Sequence, residues 1–298
     1  MAAGNNPAFN NPAFQEKGAS RAGFGTQTSY ATTSSAATDA AVNAQLEGAY
    51  AAPSAGAIET GRMTVEDTLL KTVGLFAILL VTAVAGWMWT MAPVTAASPY
   101  PTMVPWIVGA LGGFVMAMVV IFGSRKKIRP ALIWGYAAFE GLFVGSISAY
   151  FEFIWPGIVV QASLATLAVV GVTLALFASG KVRASKKATK VFMVAMIGYL
   201  VFSLINLVMV MFGFTGSGGP FGLYSMEVFG IPLGLIIGVL VVIMAAYSLV
   251  LDFDSIQQGV RNGAPRQFAW MGAFGIMVTV VWLYIEILRI LAILRGSN

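Results

Sequence analysis

Histidine and cysteine are both missing from this chain of 298 residues. Without them there are no disulfides, no thiol nucleophiles and none of the usual zinc or copper ligands. The serine–histidine arrangements that hydrolases use are excluded as well. The chemistry that remains is that of carboxylates, arginine and lysine. We therefore expect a protein that is not an enzyme, has no cofactor and has no resident metal.

Charge is also scarce. Charged residues make up 10% of the chain and hydrophobic residues 58%, whereas an ordinary soluble domain has about 25% charged residues. The mean hydropathy is +0.83. The net charge of +5 could indicate nucleic acid, but the basic residues lie between long apolar runs, which is the pattern of membrane topology. We expect the lipid bilayer, and no nucleic acid, as the partner.

The first 61 residues differ from the rest of the chain. They are rich in Ala, Asn, Ser, Thr and Gly, and the pentapeptide NNPAF occurs twice in succession at residues 5–14. This composition predicts a disordered cytoplasmic tail, and it favours a low-complexity repeat over a docking motif. Residues 62–298 are predicted to form the transmembrane domain.

Seven apolar runs are long enough to cross a bilayer, which needs about 20 residues per helix. They lie at residues 69–91, 103–123, 131–151, 157–178, 190–213, 229–254 and 270–294. The sequence therefore predicts an all-α membrane protein, a bundle of seven transmembrane helices. Thr64 and Asp67 form a capping-box pattern that predicts a helix start before the first run.

The loops predict the orientation of the bundle. Those after spans two, four and six hold eleven Lys and Arg residues, and the other three loops hold none. The positive-inside rule then places the N-terminus in the cytoplasm and the C-terminus outside the cell membrane. Glycines spaced four apart predict close helix packing. They are Gly109/Gly113, Gly141/Gly145 and Gly230/Gly234/Gly238.

Four acidic residues fall inside or at the edge of the spans. They are Glu140, Asp252, Asp254 and Glu286. A charge at the bilayer centre costs about 2.5–3.5 kcal/mol, and such residues usually face the bundle interior or a path for ions. Asp252 shares a helix face with Leu249 and Ile256, so we expect it to point inward. Asp254 lies about 200° away around the helix and is expected to be solvated.

Glu286 has two interpretations. It pairs locally with Arg289, three residues later, or it meets Asp252 across helices six and seven. In the second case the two carboxylates share one proton, titrate as a unit and form a proton sensor without histidine. Arg125, at the end of span two, would compete for the carboxylate once that proton leaves. Glu140 and Asp254 are candidates for pore or gating residues.

The sequences of segments in three spans resemble those of the Bax inhibitor-1/YccA family of integral membrane proteins. The segments are FEGLFVGSIS in span three, SLVLDFDSIQQGV closing span six and VWLYIEILRIL in span seven. The N-terminal tail and the segment LDFDSIQQGVRNGAP look most like the actinobacterial branch of that family. The resemblance covers about residues 60–295.

The resemblance implies a seven-helix bundle with a central seventh helix and a pH-regulated calcium leak. It also implies a sensor made of one aspartate that ends helix six, one in helix seven and a nearby arginine on helix two. In this sequence these roles fall on Asp252, Glu286 and Arg125.

The leading functional hypothesis is therefore a pH-regulated leak channel for calcium or other cations, with calcium and protons as the transported or sensed ions. The alternative is a non-conducting scaffold or regulator of other membrane proteins or proteases. A proton-coupled transporter is less favoured, because no inverted repeat is visible in the sequence.

Overall fold

The computed structural model describes residues 61–95, 99–125, 127–213 and 221–296. The N-terminal tail with its NNPAF repeat lies outside the described residues. Within them, seven helices are long and apolar enough to cross a membrane. They are α1 Val65–Met91, α2 Val104–Gly123, α3 Pro130–Ile154, α4 Ile158–Ala178, α5 Lys186–Met211, α6 Leu233–Arg261 and α7 Ala269–Gly296. The predicted all-α fold with seven spans is confirmed.

Three short elements occupy the connections. Two are single 3₁₀ turns, Gly222–Ser225 before α6 and Arg266–Phe268 before α7. Between α5 and α6 a small antiparallel hairpin pairs β1, Glu227–Val228, with β2, Ile231–Pro232.

Side-chain caps help to define where α1 and α4 begin. Thr64 accepts a hydrogen bond from the Asp67 amide at 3.0 Å, which satisfies an amide that has no partner inside the helix and confirms the predicted start of α1. The Glu152 carboxylate accepts from the amides of Gly157 at 2.6 Å and Val159 at 3.0 Å. Glu152 thereby caps α4 across the tight turn that follows α3.

Helix α7 is the most buried of the seven helices and α5 the least. Helices α1, α4 and α6 pack around α7, while α1 packs closely on α3 and α2 packs mainly on α3. The central position that the resemblance implied for the seventh helix is thus observed. Helix α5 makes few close backbone approaches to the rest of the bundle.

Glycines explain why α1 and α3 lie so close together. A Cβ atom on Gly145 would lie 1.9 Å from the Ala83 carbonyl oxygen, and one on Gly141 would lie 2.0 Å from Thr82 Oγ1. Only glycine permits this separation. Gly234 and Gly238 play the same part against α7, but Gly230 lies in the turn of the hairpin, with φ +77° and no neighbour within 4 Å. Gly230, which the sequence analysis grouped with Gly234 and Gly238, is therefore not a helix-packing residue.

Substituting Gly145 by alanine is expected to destabilise the bundle by about 1–3 kcal/mol, the usual cost of overpacking. The added methyl group would push against the backbone of α1, which cannot move without the whole helix. Thermal unfolding of the protein in detergent measures the effect. Gly171→Ala on the exposed face of α4, where no atom lies within 4 Å, is the matched control and is expected to be neutral or slightly stabilising. Equal stability of the two variants would contradict the close α1–α3 contact.

Helix α6 continues past the predicted boundary. The sequence placed its end at residue 254, but the helix runs to Arg261. Asp252 and Asp254 therefore lie inside the helix and not at its C-terminus. The connection to α7 is short and is fixed by backbone hydrogen bonds from Met63 to Ala264 at 2.7 Å and from Arg266 to Gly61 at 2.8 Å.

Candidate functional site

One face of the central helix α7 carries polar side chains inside the bundle. Thr279, Glu286 and Arg289 follow one another at spacings of seven and three residues, which places them on one side of the helix. At 1.5 Å per residue, Thr279 lies about 15 Å and Glu286 about 26 Å from the start of α7. Thr279 is therefore nearer to the basic-loop end of α7, and Glu286 is nearer to the opposite end.

Asp252 lies opposite Thr279 and is completely buried, with 0% exposure. Its Oδ2 accepts a hydrogen bond from Thr279 Oγ1 at 2.6 Å. Ser248 Oγ lies 3.4 Å from the same threonine oxygen. Leu249 and Ile256 are buried on the same face of α6, so the inward orientation predicted for Asp252 is confirmed.

The hydroxyl partner has a chemical consequence for Asp252. A threonine hydroxyl can donate to an ionised carboxylate and accept from a protonated one. The contact between Asp252 and Thr279 can therefore persist when the acid gains or loses its proton.

Asp254 has a different environment from Asp252. It is half-buried and accepts a hydrogen bond from Gln258 Nε2 at 2.8 Å, one turn along α6. The two aspartates therefore face different surroundings, although only one residue separates them.

Glu286 lies in a second buried cluster. Its carboxylate forms an ion pair with Arg289 and accepts a hydrogen bond from the Tyr199 hydroxyl of α5. Arg289 also donates to the Tyr199 hydroxyl at 3.0 Å and lies 4.2 Å from the ring centroid of Tyr224. The local pair of Glu286 with Arg289 is thus the interpretation that the structure matches. The pair is covered by the two tyrosines, and the side chains of Glu286 and Arg289 are only 4% and 17% exposed.

The two buried carboxylates have different hydrogen-bond partners. Sharing one proton requires two carboxylates within hydrogen-bond distance, and Asp252 has Thr279 at that distance, whereas Glu286 has Tyr199 and Arg289. Thr279 and Glu286 are seven residues apart, or about 10 Å along the helix. The short connection before α7 sets the level of α6 relative to α7, so that Asp252 lies beside Thr279. We therefore treat the carboxylates as two sites.

The remaining two predicted site residues lie elsewhere. Arg125 is exposed at the end of α2, with its guanidinium 5.5 Å from the ring centroid of Phe122. The structure does not bring Arg125 into the buried surroundings of Asp252. Glu140 faces α2, where its Oε2 lies 3.0 Å from the position of a Cβ on Gly113, and it is hydrogen-bonded to Tyr136.

The sequence analysis missed the polar face of α5. Hydrogen bonds join this helix to the bundle, in addition to the Tyr199 contacts. They link the hydroxyls of Thr189 and Tyr247 at 2.9 Å and those of Ser203 and Tyr224 at 3.0 Å, and the Leu223 amide donates to Asn206 at 2.7 Å. The signal was present, because Tyr199, Ser203 and Asn206 recur at i, i+4 and i+7, the spacing of one helix face.

The comparisons with known proteins agree with this architecture. A family model described as Bax inhibitor 1 like matches residues 6–296. The match includes all seven helices and extends further towards the N-terminus than the resemblance in the sequence did. No curated protein and no solved structure matches the chain.

Proposed function

Because the chain belongs to the Bax inhibitor 1-like family of membrane proteins, we propose that it is a pH-regulated leak for calcium or other cations. Asp252 is the group whose protonation regulates the leak. The observation that carries this proposal is the position of Asp252, a fully buried carboxyl group inside the bundle against the central helix. Intramembrane acids of this kind commonly mark ion or proton pathways.

The cation path follows the polar face of α7, between α5 and α6. Along it lie Ser248, Asp252, Thr279, Tyr199, Glu286 and Ser203, whose oxygen atoms can replace part of the hydration shell of an ion. Helix α5 closes this path, and hydrogen bonds hold it more than close helix packing does. An outward movement of α5 would break those bonds and open the path.

The leak is passive. A calcium ion prefers six to eight oxygen ligands, and no three acidic side chains come together to hold a metal ion in the described part of the chain. An ion would meet the carboxylates one at a time, which suits passage better than storage. Nothing in the family points to an enzymatic step.

Calcium efflux from proteoliposomes tests the proposal. Vesicles loaded with calcium and containing the full-length protein are expected to lose calcium down its gradient, without an energy source, at a rate that changes with pH. Tyr199→Phe is expected to raise the basal rate at least tenfold, because even one hydrogen bond to a charged group is worth about 1.5–3 kcal/mol. Protein-free vesicles are the control. A folded protein that gives no efflux at any pH would contradict the leak and favour the non-conducting scaffold.

A further inference from the structure

A groove opens on the side of the bundle that carries the basic loops. It has a volume of about 450 Å³ and lies where α1, α3 and α7 begin. Its lining consists of Lys71, Ile128, Pro130, Arg266, Gln267 and Trp270. We refer to these six residues as the basic groove.

The groove keeps an excess of positive charge. Lys71 forms an ion pair with Asp67, and Arg266 binds the same carboxylate through Nη2 at 2.9 Å and Nε at 3.2 Å. Two cations therefore share one carboxylate. The exposed residues Lys127 and Arg129 flank the groove on the α2–α3 loop, and the exposed Glu66 on α1 offsets one of them. The sum of these six charges is positive.

The N-terminus of α3 adds to this field. Pro130 is its first residue, and the side chain of Arg129 makes no capping hydrogen bond. The first amides of a long helix carry a partial positive charge and favour an anion. Arg266 is half exposed, with 52% of its side chain accessible, so part of its guanidinium is available to a second oxygen ligand.

Two tryptophan side chains beside the groove indicate that it lies at the level of the lipid headgroups. The Lys71 ammonium is 5.2 Å from the ring centroid of Trp270. Trp270 packs edge-on against Trp134, at 5.7 Å between centroids, and Trp134 is 47% exposed. Tryptophan side chains collect at the membrane–water interface. The groove therefore has a cationic end, and its aromatic wall reaches the outer surface of α3.

From this arrangement we infer that the basic groove binds the headgroup phosphate of an anionic phospholipid in the leaflet on the basic-loop side. The planar guanidinium of Arg266 matches phosphate oxygens in pairs, and Lys71 supplies a second donor. The acyl chains would then lie against Trp134 and the apolar surface of α3. Basic pockets between transmembrane helices are a known type of site for acidic headgroups.

Lipid retention measured by native mass spectrometry tests the site. The full-length protein is expected to retain phosphatidylglycerol in preference to phosphatidylcholine. Lys71→Gln with Arg266→Gln is expected to lower that retention about 25-fold, because each basic residue near an anionic surface is worth about fivefold, the factor that corresponds to about 1 kcal/mol. Lys186→Gln with Lys187→Gln removes the same charge from the start of α5 and is expected to leave retention unchanged. If the first double variant does not fold, Arg266→Gln alone takes its place.

A gain of binding provides the sharper test. Asp67→Asn releases both cations from their shared carboxylate, so we expect phosphatidylglycerol retention to rise about fivefold, whereas a purely structural role for the cluster gives no rise. Equal retention by both double variants, or no gain from Asp67→Asn, would overturn the site. Displacement of the lipid by equimolar glycerol phosphate would assign the groove to a free phosphate and overturn the lipid assignment.

Discussion

Asp252→Asn is expected to abolish the pH dependence of calcium efflux. The amide has the shape of the protonated acid, its oxygen can still accept from Thr279, and it cannot ionise. Between about pH 5 and about pH 8, a range in which perturbed carboxyl groups titrate, the variant should therefore keep a constant calcium efflux rate. That rate should equal the one that the wild type reaches at the acid end of the range. Wild-type efflux is expected to change by about 5–150-fold over that range, the usual size of coupling between a ligand and a conformational change.

Asp254→Asn is the matched control. This residue is two positions away on the same helix, is half-buried and has Gln258 as its partner. It loses the same charge, and we expect wild-type pH dependence. Efflux from the Asp252 variant that still follows pH as in the wild type would contradict the assignment. A loss of pH dependence in the Asp254 variant would move the sensor to the other side of α6.

Glu286→Gln is expected to destabilise the protein by about 3 kcal/mol. The substitution leaves the guanidinium of Arg289 in a buried place without its counter-charge, and breaking a buried ion pair in this way usually costs about 3–5 kcal/mol. The lower end applies because the Tyr199 hydroxyl still accepts from Arg289. Thermal or chemical unfolding in detergent measures the loss.

The double variant Glu286→Gln with Arg289→Met separates the ion pair from the packing. Removing both charges leaves no uncompensated ion, and such replacements are often neutral or stabilising. We expect the double variant to recover most of the stability that the single variant loses. If it is as unstable as Glu286→Gln alone, the loss comes from packing around Tyr199 and Tyr224, and the ion pair is not the cause.

The sequence predicted the number and positions of the spans because hydropathy and length decide them. It misplaced the end of α6 for a physical reason. Past Asp254 the sequence becomes more polar, with Gln257, Gln258 and Arg261, so hydropathy no longer marks the helix. The helix nevertheless continues, with Ser255, Ile256 and Gly259 buried. An amphipathic helix face continues there, with a period that a hydropathy threshold does not detect.

The inward direction of Asp252 was predictable from helix periodicity, but its partner was not. The relative height of α6 and α7 depends on the geometry of the connection at residues 262–268, and one helical turn of shift moves a partner by 5.4 Å. Thr279 is neutral, so a search for charges in the spans passed over it. Glu286 was singled out because it is charged. It belongs to a different cluster, because the short connection between α6 and α7 brings Thr279, and not Glu286, to the level of Asp252.

The most direct test of the account is the protonation of Asp252 itself. Infrared difference spectra of the wild type and Asp252→Asn identify the carboxyl band that belongs to this residue, and a pH titration follows it in the same proteoliposomes that report calcium efflux. We expect the midpoint of the band and the midpoint of the efflux to coincide. A band that stays constant across the pH range in which efflux changes would show that another group regulates the leak.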